Sequence, residues 1–393
     1  MSRKGDLMSW SCRAAVAAVA LCFAVFVGCG GDDDGGGGGG AAEGGGAYKV
    51  GGILTLSGPA ALLGQHELDG AKVAIEEINA AGGVNGRELV LDTIDTAANP
   101  NSAVSAFNRH AQDDDVIAIF GATFGTETAA ISPIDKRAEI PMIVPNTTAQ
   151  GMPDNPYIFL IAYTSEIEAQ VAEKYLVDHG LERVAILHTT DQYGSDGARF
   201  LAEMQQVEVV ANESMDPDAT DVTPQLTKIR GQKPDALLIW GTAPNTGIAI
   251  KNAGQLGLDV PIISGVAAHS PANIEVAAGS KALDNWIVQA VMDPNKPLPR
   301  QEEGAAALAA AYDYPADVFS SVGYDSMQVL AEGLRKAGPD ADREALREAL
   351  DGISGFPGLA GEYSFSPDNH VGLGPDSVLH LQVRDGDFQL VEG

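Results

Sequence analysis

From Tyr48 onward, short apolar runs rich in β-branched residues alternate with stretches whose apolar positions recur every three or four residues. The runs predict strands over 49–56, 89–95, 116–120 and 142–144. Between them, 64–80 places Leu68, Ala71, Ile75 and Ile78 on one helical face. A second helix begins near Pro100 and shows Val104, Phe107 and Ala111; a third ends at Ala138. The pattern then restarts with Ile167, Val171 and Tyr175 on a helix. Strands follow over 184–187, 207–211, 236–240, 261–264 and 287–291, with helices over 195–205, 226–230 and 246–256. Strands that are apolar throughout, each followed by a helix, imply a parallel sheet covered on both faces. Two such α/β sheets in tandem are therefore expected. Residues 300–350 read as mostly helical (323–337, then 342–350), and 363–365 and 378–391 as β structure added late to the sheets.

The first 47 residues follow other rules. Arg3, Lys4 and Arg13 precede an uninterrupted small and apolar run over 14–27. Fourteen residues of helix cover ~21 Å, short of the ~30 Å hydrocarbon core of a bilayer. That length favours a secretory signal over a membrane span. The run ends in Phe26-Val27-Gly28-Cys29, which resembles a bacterial lipobox, although Phe26 departs from the usual leucine. The resemblance implies that 1–28 is a lipoprotein signal peptide and that Cys29 carries the lipid. Residues 29–47, with Asp32–Asp34 and six consecutive glycines, cannot bury apolar surface and read as a tether reaching about 23 Å. The other cysteines are Cys12 and Cys22, so the body beyond Cys29 can form no disulfide.

Charge narrows the functional classes. With 54 acidic and 24 basic side chains the 393-residue chain carries −30, and no basic stripe with interleaved aromatics offsets it. A nucleic-acid partner is excluded on that ground; the acidity fits solubility, a saline habitat or attraction of a cationic ligand. A length of 393 residues fits two domains better than one. Enzyme signatures are missing: there is no phosphate-binding loop, no nucleophile elbow, and the seven histidines have no metal-ligand spacing. No catalytic residue, metal or cofactor is expected. In parallel sheets, ligands sit beyond the carboxyl ends of the strands. The loops to inspect are 57–64, 121–126, 145–148, 188–194, 241–245 and 265–269, which are dominated by small and hydroxylated residues suited to a small polar ligand.

Leu56-Ser57-Gly58-Pro59 with Gly64, Gly70-Ala71-Lys72, and the stretch from Glu76 to Gly86 resemble the branched-chain amino-acid (leucine/isoleucine/valine) binding proteins. These are type I periplasmic receptors of ABC importers. Asp191-Gln192-Tyr193-Gly194, Lys233-Pro234-Asp235-Ala236 and Gly323-Tyr324-Asp325 extend the resemblance, which runs in order over about 48–391. It implies two Rossmann-like lobes joined by three hinge crossovers, near 162–164, 291–292 and 356–361. The first lobe would be 48–162 plus 292–357, and the second 163–291 plus 358–393. A small-molecule ligand would be enclosed between them and delivered to permease subunits by a monomeric, exported, lipid-anchored protein. A sensor feeding a membrane signalling partner, or an enzyme on the same fold, are the other functions this architecture admits.

Matching by position, the resemblance puts the ligand carboxylate against Gly125 and Thr126 after the third strand and Asn146 and Thr148 after the fourth. It also puts an aromatic at Tyr193 and an apolar pocket at Leu63. Phe124 extends that pocket, and Ser57 and Thr242 are further candidates from the strand-end loops. The acid that meets an α-amino group in the family falls near Val266, where none stands. Asp191 or Glu127 are the alternatives for that role. With no acid at 266, a small carboxylate or amide with an apolar tail is expected in preference to an amino acid.

Overall fold

The structure, a computed structural model, describes residues 46–58, 61–146, 155–292, 299–312, 314, 316–317 and 318–391. The signal segment, the tether up to residue 45, Cys29 and Thr148 lie outside the described residues. The first sheet holds β1 (Tyr48–Leu54), β2 (Leu89–Asp95), β3 (Val116–Gly121), β4 (Met142–Val144) and β5 (Ile158–Leu160). Their order is β2-β1-β3-β4-β5, and every pairing is parallel. The helices α1 (Ala61–Ala80), α2 (Pro100–Ala111) and α3 (Gly125–Ala138) connect them. Each start is chemically marked where a cap is available. At α2, for example, the Asn99 side chain accepts the N–H groups of Asn101 and Ser102, with Pro100 at the first helical position.

The second sheet is built from α4 (Ser165–Asp178), β6 (Arg183–Thr189), α5 (Gln192–Ala202), β7 (Glu208–Met215), α6 (Thr223–Gly231) and β8 (Ala236–Trp240). It continues through α7 (Asn245–Gln255), β9 (Ile262–Ser264), α8 (Pro271–Ala277) and β10 (Trp286–Ala290). The chain then returns to the first lobe with α9 (Pro299–Ala311), α10 (Val318–Ala337) and α11 (Arg343–Asp351). The short pair β11 (Phe356–Pro357) and β12 (Glu362–Tyr363) precedes β13 (Leu379–Arg384) and β14 (Asp387–Leu390).

Two β expectations need correction. The second sheet runs β14-β13-β10-β9-β8-β6-β7, and β13 and β14 are antiparallel, so this sheet is mixed rather than wholly parallel. Tyr363 joins neither large sheet; it pairs with Phe356 in a separate two-stranded hairpin. Strand β5 carried no periodic signal, being three fully buried residues that only the sheet's edge defines.

In the first lobe, Val50, Phe120 and Phe159 from the sheet pack with Leu308, Tyr324 and Leu330 from the late helices. Helices α1 and α10 meet backbone to backbone. A Cβ at Gly70 would lie 1.9 Å from the Ser320 carbonyl oxygen, and one at Gly323 2.0 Å from that of Glu67. Any side chain there would push the helices apart. Each face of the second sheet has its own core, one centred on Leu187, Ile239 and Trp286 and the other on Leu238 and Trp240. Among the described residues no helix is long and apolar enough to cross a membrane, and no cluster of three or more His, Cys, Asp or Glu could hold a metal.

Candidate functional site

The carboxyl ends of both sheets face a cavity of about 380 Å³, at the small end of ligand-pocket volumes. The first lobe supplies Leu63 from α1, Thr123, Phe124 and Gly125 after β3, Asn146 after β4, and Val318 and Phe319 from α10. The second supplies Glu168 from α4, Asp191, Gln192 and Tyr193 around the start of α5, Thr242 after β8, and Val266 and Ala267 after β9. Ala162 and Tyr163, between β5 and α4, complete the lining. The wall is mostly apolar. Among its described residues are two acids and no lysine, arginine or histidine.

Glu168 is the chemically loudest member. It lies in the first turn of α4, which Thr164 caps by accepting the Ile167 N–H, and is only 4% exposed. Its Oε2 accepts a 2.7 Å hydrogen bond from the Tyr193 hydroxyl. Burial pushes the carboxyl up to about 7, against the Tyr193 hydroxyl and the Val266 N–H, which favour the charged form. Tyr193 is pushed well above the usual phenol range, by burial first and then by the Glu168 charge. Its ring stacks over Trp240 at 6.5 Å between centroids. Gly265 makes this packing possible: a Cβ there would lie 2.3 Å from Tyr193 Oη and 2.4 Å from Glu168 Oε2.

Behind the first-lobe wall lies a second polar network. Thr123 Oγ1 accepts the Thr55 N–H (3.1 Å) and donates to Glu67 Oε2 (2.7 Å). Glu127 Oε2 accepts the Phe124 N–H and the Thr55 hydroxyl at 3.2 and 3.3 Å. The Glu67 carboxyl is pushed up to about 8 by burial, with the Glu127 charge adding to it. Both glutamates are fully buried. They hold the 123–125 backbone in place and do not line the cavity.

Tyr163 ties the site to the 359–360 segment. Its hydroxyl donates to the Ala360 carbonyl at 2.9 Å, and Gln301 Nε2 donates to that of Leu359 at 2.9 Å. The Leu359 and Ala360 N–H groups both donate to Asp325, which also accepts the Tyr363 hydroxyl.

Of the residues singled out from sequence, Leu63, Phe124, Gly125 and Asn146 lie on the first-lobe wall, and Tyr193, Thr242 and Val266 on the second. Ser57 is exposed and bonds to Asp95 instead. Thr126 is exposed beside the wall at the start of α3. Of the two alternative acids, Glu127 is sequestered behind the wall. Asp191 lines the cavity but caps α5, its Oδ1 accepting the Gly194 N–H at 2.8 Å. Where the sequence offered Asp191 or Glu127 in place of an acid at 266, the wall also carries Glu168, which sequence reasoning missed. Its signal was there: Ser165, Glu168, Ala169 and Ala172 recur at helical spacing and are all buried, so an acid sits on a small-residue stripe.

A family model described as "periplasmic binding protein" matches residues 47–387. The chain belongs to the periplasmic binding protein family. A relative from Rhizobium johnstonii, the Leu/Ile/Val-binding protein BraC3, is 29% identical over 325 residues, covering 80% of this chain and 86% of the relative. The ABC transporter substrate-binding protein from Sphaerobacter thermophilus superposes with a TM-score of 0.78 at 24% identity, covering 88% of this chain and 97% of that one. The branched-chain amino acid transporter substrate-binding protein LivJ from Streptococcus pneumoniae, solved with isoleucine, gives 0.73 at 23% identity, covering 88% and 99%. The fold is the two-lobed type I form of the periplasmic binding proteins.

Proposed function

We propose that this protein is the substrate-binding component of an ABC importer, capturing a small apolar amino acid or related carboxylate and delivering it to permease subunits. The observation that carries this reading is the mostly apolar cavity walled by strand-end loops of both sheets. The N–H groups at the start of α3, with Asn146 and Thr148, would receive a carboxylate as neutral donors, each worth about 0.5–1.5 kcal/mol net. Leu63, Phe124 and Phe319 would take the apolar tail. The BraC3 relative, named for leucine, isoleucine and valine, supports the same ligand class.

Isothermal titration against leucine, valine, phenylalanine and their deaminated acids tests the ligand class, and silence across the whole panel would sink it. The lobes, 48–162 plus 292–357 and 163–291 plus 358–393, would close on ligand. Small-angle scattering is expected to give a smaller radius of gyration at saturation, and an unchanged profile would count against closure. Export and lipidation at Cys29 complete the proposal. Cys29→Ala should release the protein from membranes without changing its melting temperature, and retention in the membrane fraction at high salt would refute the anchor.

A further inference from the structure

Four observations converge on one end of the cavity. Among the described residues its wall has no basic side chain, so none of them sets a positive charge against the Glu168 carboxylate. Asp191, the other acid, is engaged as the cap of α5. Glu168 is held at one oxygen by the Tyr193 hydroxyl, and a carboxylate has about four acceptor positions, so capacity remains. Finally, the backbone at Gly265 comes so close that the pair is seated directly on the 264–267 turn. Residue 266 offers that pair its backbone N–H rather than an acid of its own. A buried carboxylate in an apolar cavity is poorly compensated until a cation meets it.

We propose that Glu168, positioned by Tyr193, is the cation-receiving group of the cleft, and that the ligand is an apolar α-amino acid with its ammonium on Glu168 and its carboxylate at the start of α3. This rests on the binding-protein reading above and replaces the expectation of an amine-free acid. An acid at 266 would bring a second negative charge next to Glu168, whose carboxylate already accepts the residue 266 N–H.

The groups facing Glu168 are Tyr193 from α5 and Tyr163 from the crossover, with Asp191 beside Tyr193. Both phenols are pushed well above the usual range, so Glu168, at about 7, is the group that titrates near neutrality. Binding a cation pulls it to the charged form. Affinity for an amine should therefore fall as pH drops below 7, by up to tenfold per unit, with release of part of a proton on binding.

The test uses leucine, 3-methylbutylamine and 4-methylpentanoate as probes, titrated at pH 6 and pH 8 in buffers of different ionisation heat. Wild type should bind leucine with proton release at pH 6. Glu168→Gln should lose at least 100-fold for leucine while changing 4-methylpentanoate binding less than threefold. Glu168→Gln/Val266→Glu should recover part of the leucine affinity. Leucine affinity within threefold of wild type in Glu168→Gln would overturn the proposal and leave the binding-protein reading intact. So would a wild type that takes only the amine-free acid. A wild type that takes none of the three probes overturns the proposal, and silence across the amino-acid panel removes the reading beneath it. Where Glu168→Gln melts lower than wild type, the proton count in wild type decides: leucine binding at pH 6 without proton release rejects Glu168.

Discussion

Glu67 and Glu168 stand on opposite sides of the cleft and share nearly every local property. Each is buried, each accepts one hydroxyl at 2.7 Å (from Thr123 and Tyr193), and each has a carboxyl raised by burial, to about 8 and about 7. They differ in what lies on their free side. Glu67 looks into packed protein behind the 123–125 loop, and its Oε1 has no partner there. Glu168 lies on the cavity wall. Burial and a perturbed acid therefore do not identify a site by themselves; the open volume beside the group separates a structural acid from one that can meet a ligand.

The most severe way to break this contrast is Gly265→Val, which drives a side chain into Tyr193, Glu168 and Trp240 together. Amino-acid affinity should drop more than 100-fold by titration calorimetry, with about 1–3 kcal/mol of lost stability from overpacking. Binding within tenfold of wild type would mean that the Glu168–Tyr193 pair is not the seat of recognition. On the other wall, Thr123→Val leaves the Thr55 N–H and the Glu67 carboxyl without their partner. We expect a stability loss of about 1–3 kcal/mol in chemical denaturation, with the preference for leucine over 4-methylpentanoate unchanged. A changed preference would move the Glu67 network into the site.

The same acids give the apo protein a pH signature. Glu67 and Asp135 at about 8, Glu168 at about 7 and Asp325 at about 6 hold protons in the folded state that the unfolded chain has lost. The folded state binds more protons, so stability falls as pH rises toward 8. His269 and His380, each lowered to about 4 by burial, act in the opposite sense, but only below their unfolded value near 6.5. Between pH 7 and 8, where unfolded histidines have mostly lost their protons, the acids dominate the slope. Melting temperature should decline across that window, less steeply in Glu67→Gln, and a rise would contradict the buried-acid account. The smallest effect is expected at Lys174→Ala, which breaks an exposed pair with Asp178. Stability should move by less than about 0.5 kcal/mol, and ligand affinity not at all.

Legibility in the sequence followed the range of the interactions. Strands 89–95, 142–144 and 236–240 have the bounds that the apolar runs predict, because each run is its own signal. Helix α4 was legible through Ile167, Val171 and Tyr175. Glu168 lies among small residues between them, and only the return of Val266 from 98 positions downstream (266 − 168) makes it part of a wall. The role of Thr123 was hidden for the same reason, since its partners Thr55 and Glu67 come from earlier elements. Local periodicity cannot express such meetings.

The mixed edge of the second sheet governs the order in which this lobe can assemble. Strand β10 is buried along its whole length, and its outer neighbour begins where Leu379 pairs with Ala290, 89 positions later in sequence (379 − 290). Three helices of the other lobe are threaded between the two strands. Until β13 arrives, Trp286–Ala290 is an apolar edge with unpaired backbone groups, the kind that templates aggregation. The closure is a long-range one, slow by the logic of contact order. Pulse-labelled exchange during refolding should protect the amides of β6 and β8 before those that β10 shares with β13. An emerging chain would thus spend its synthesis with one lobe unsealed, a state suited to being handed over still unfolded.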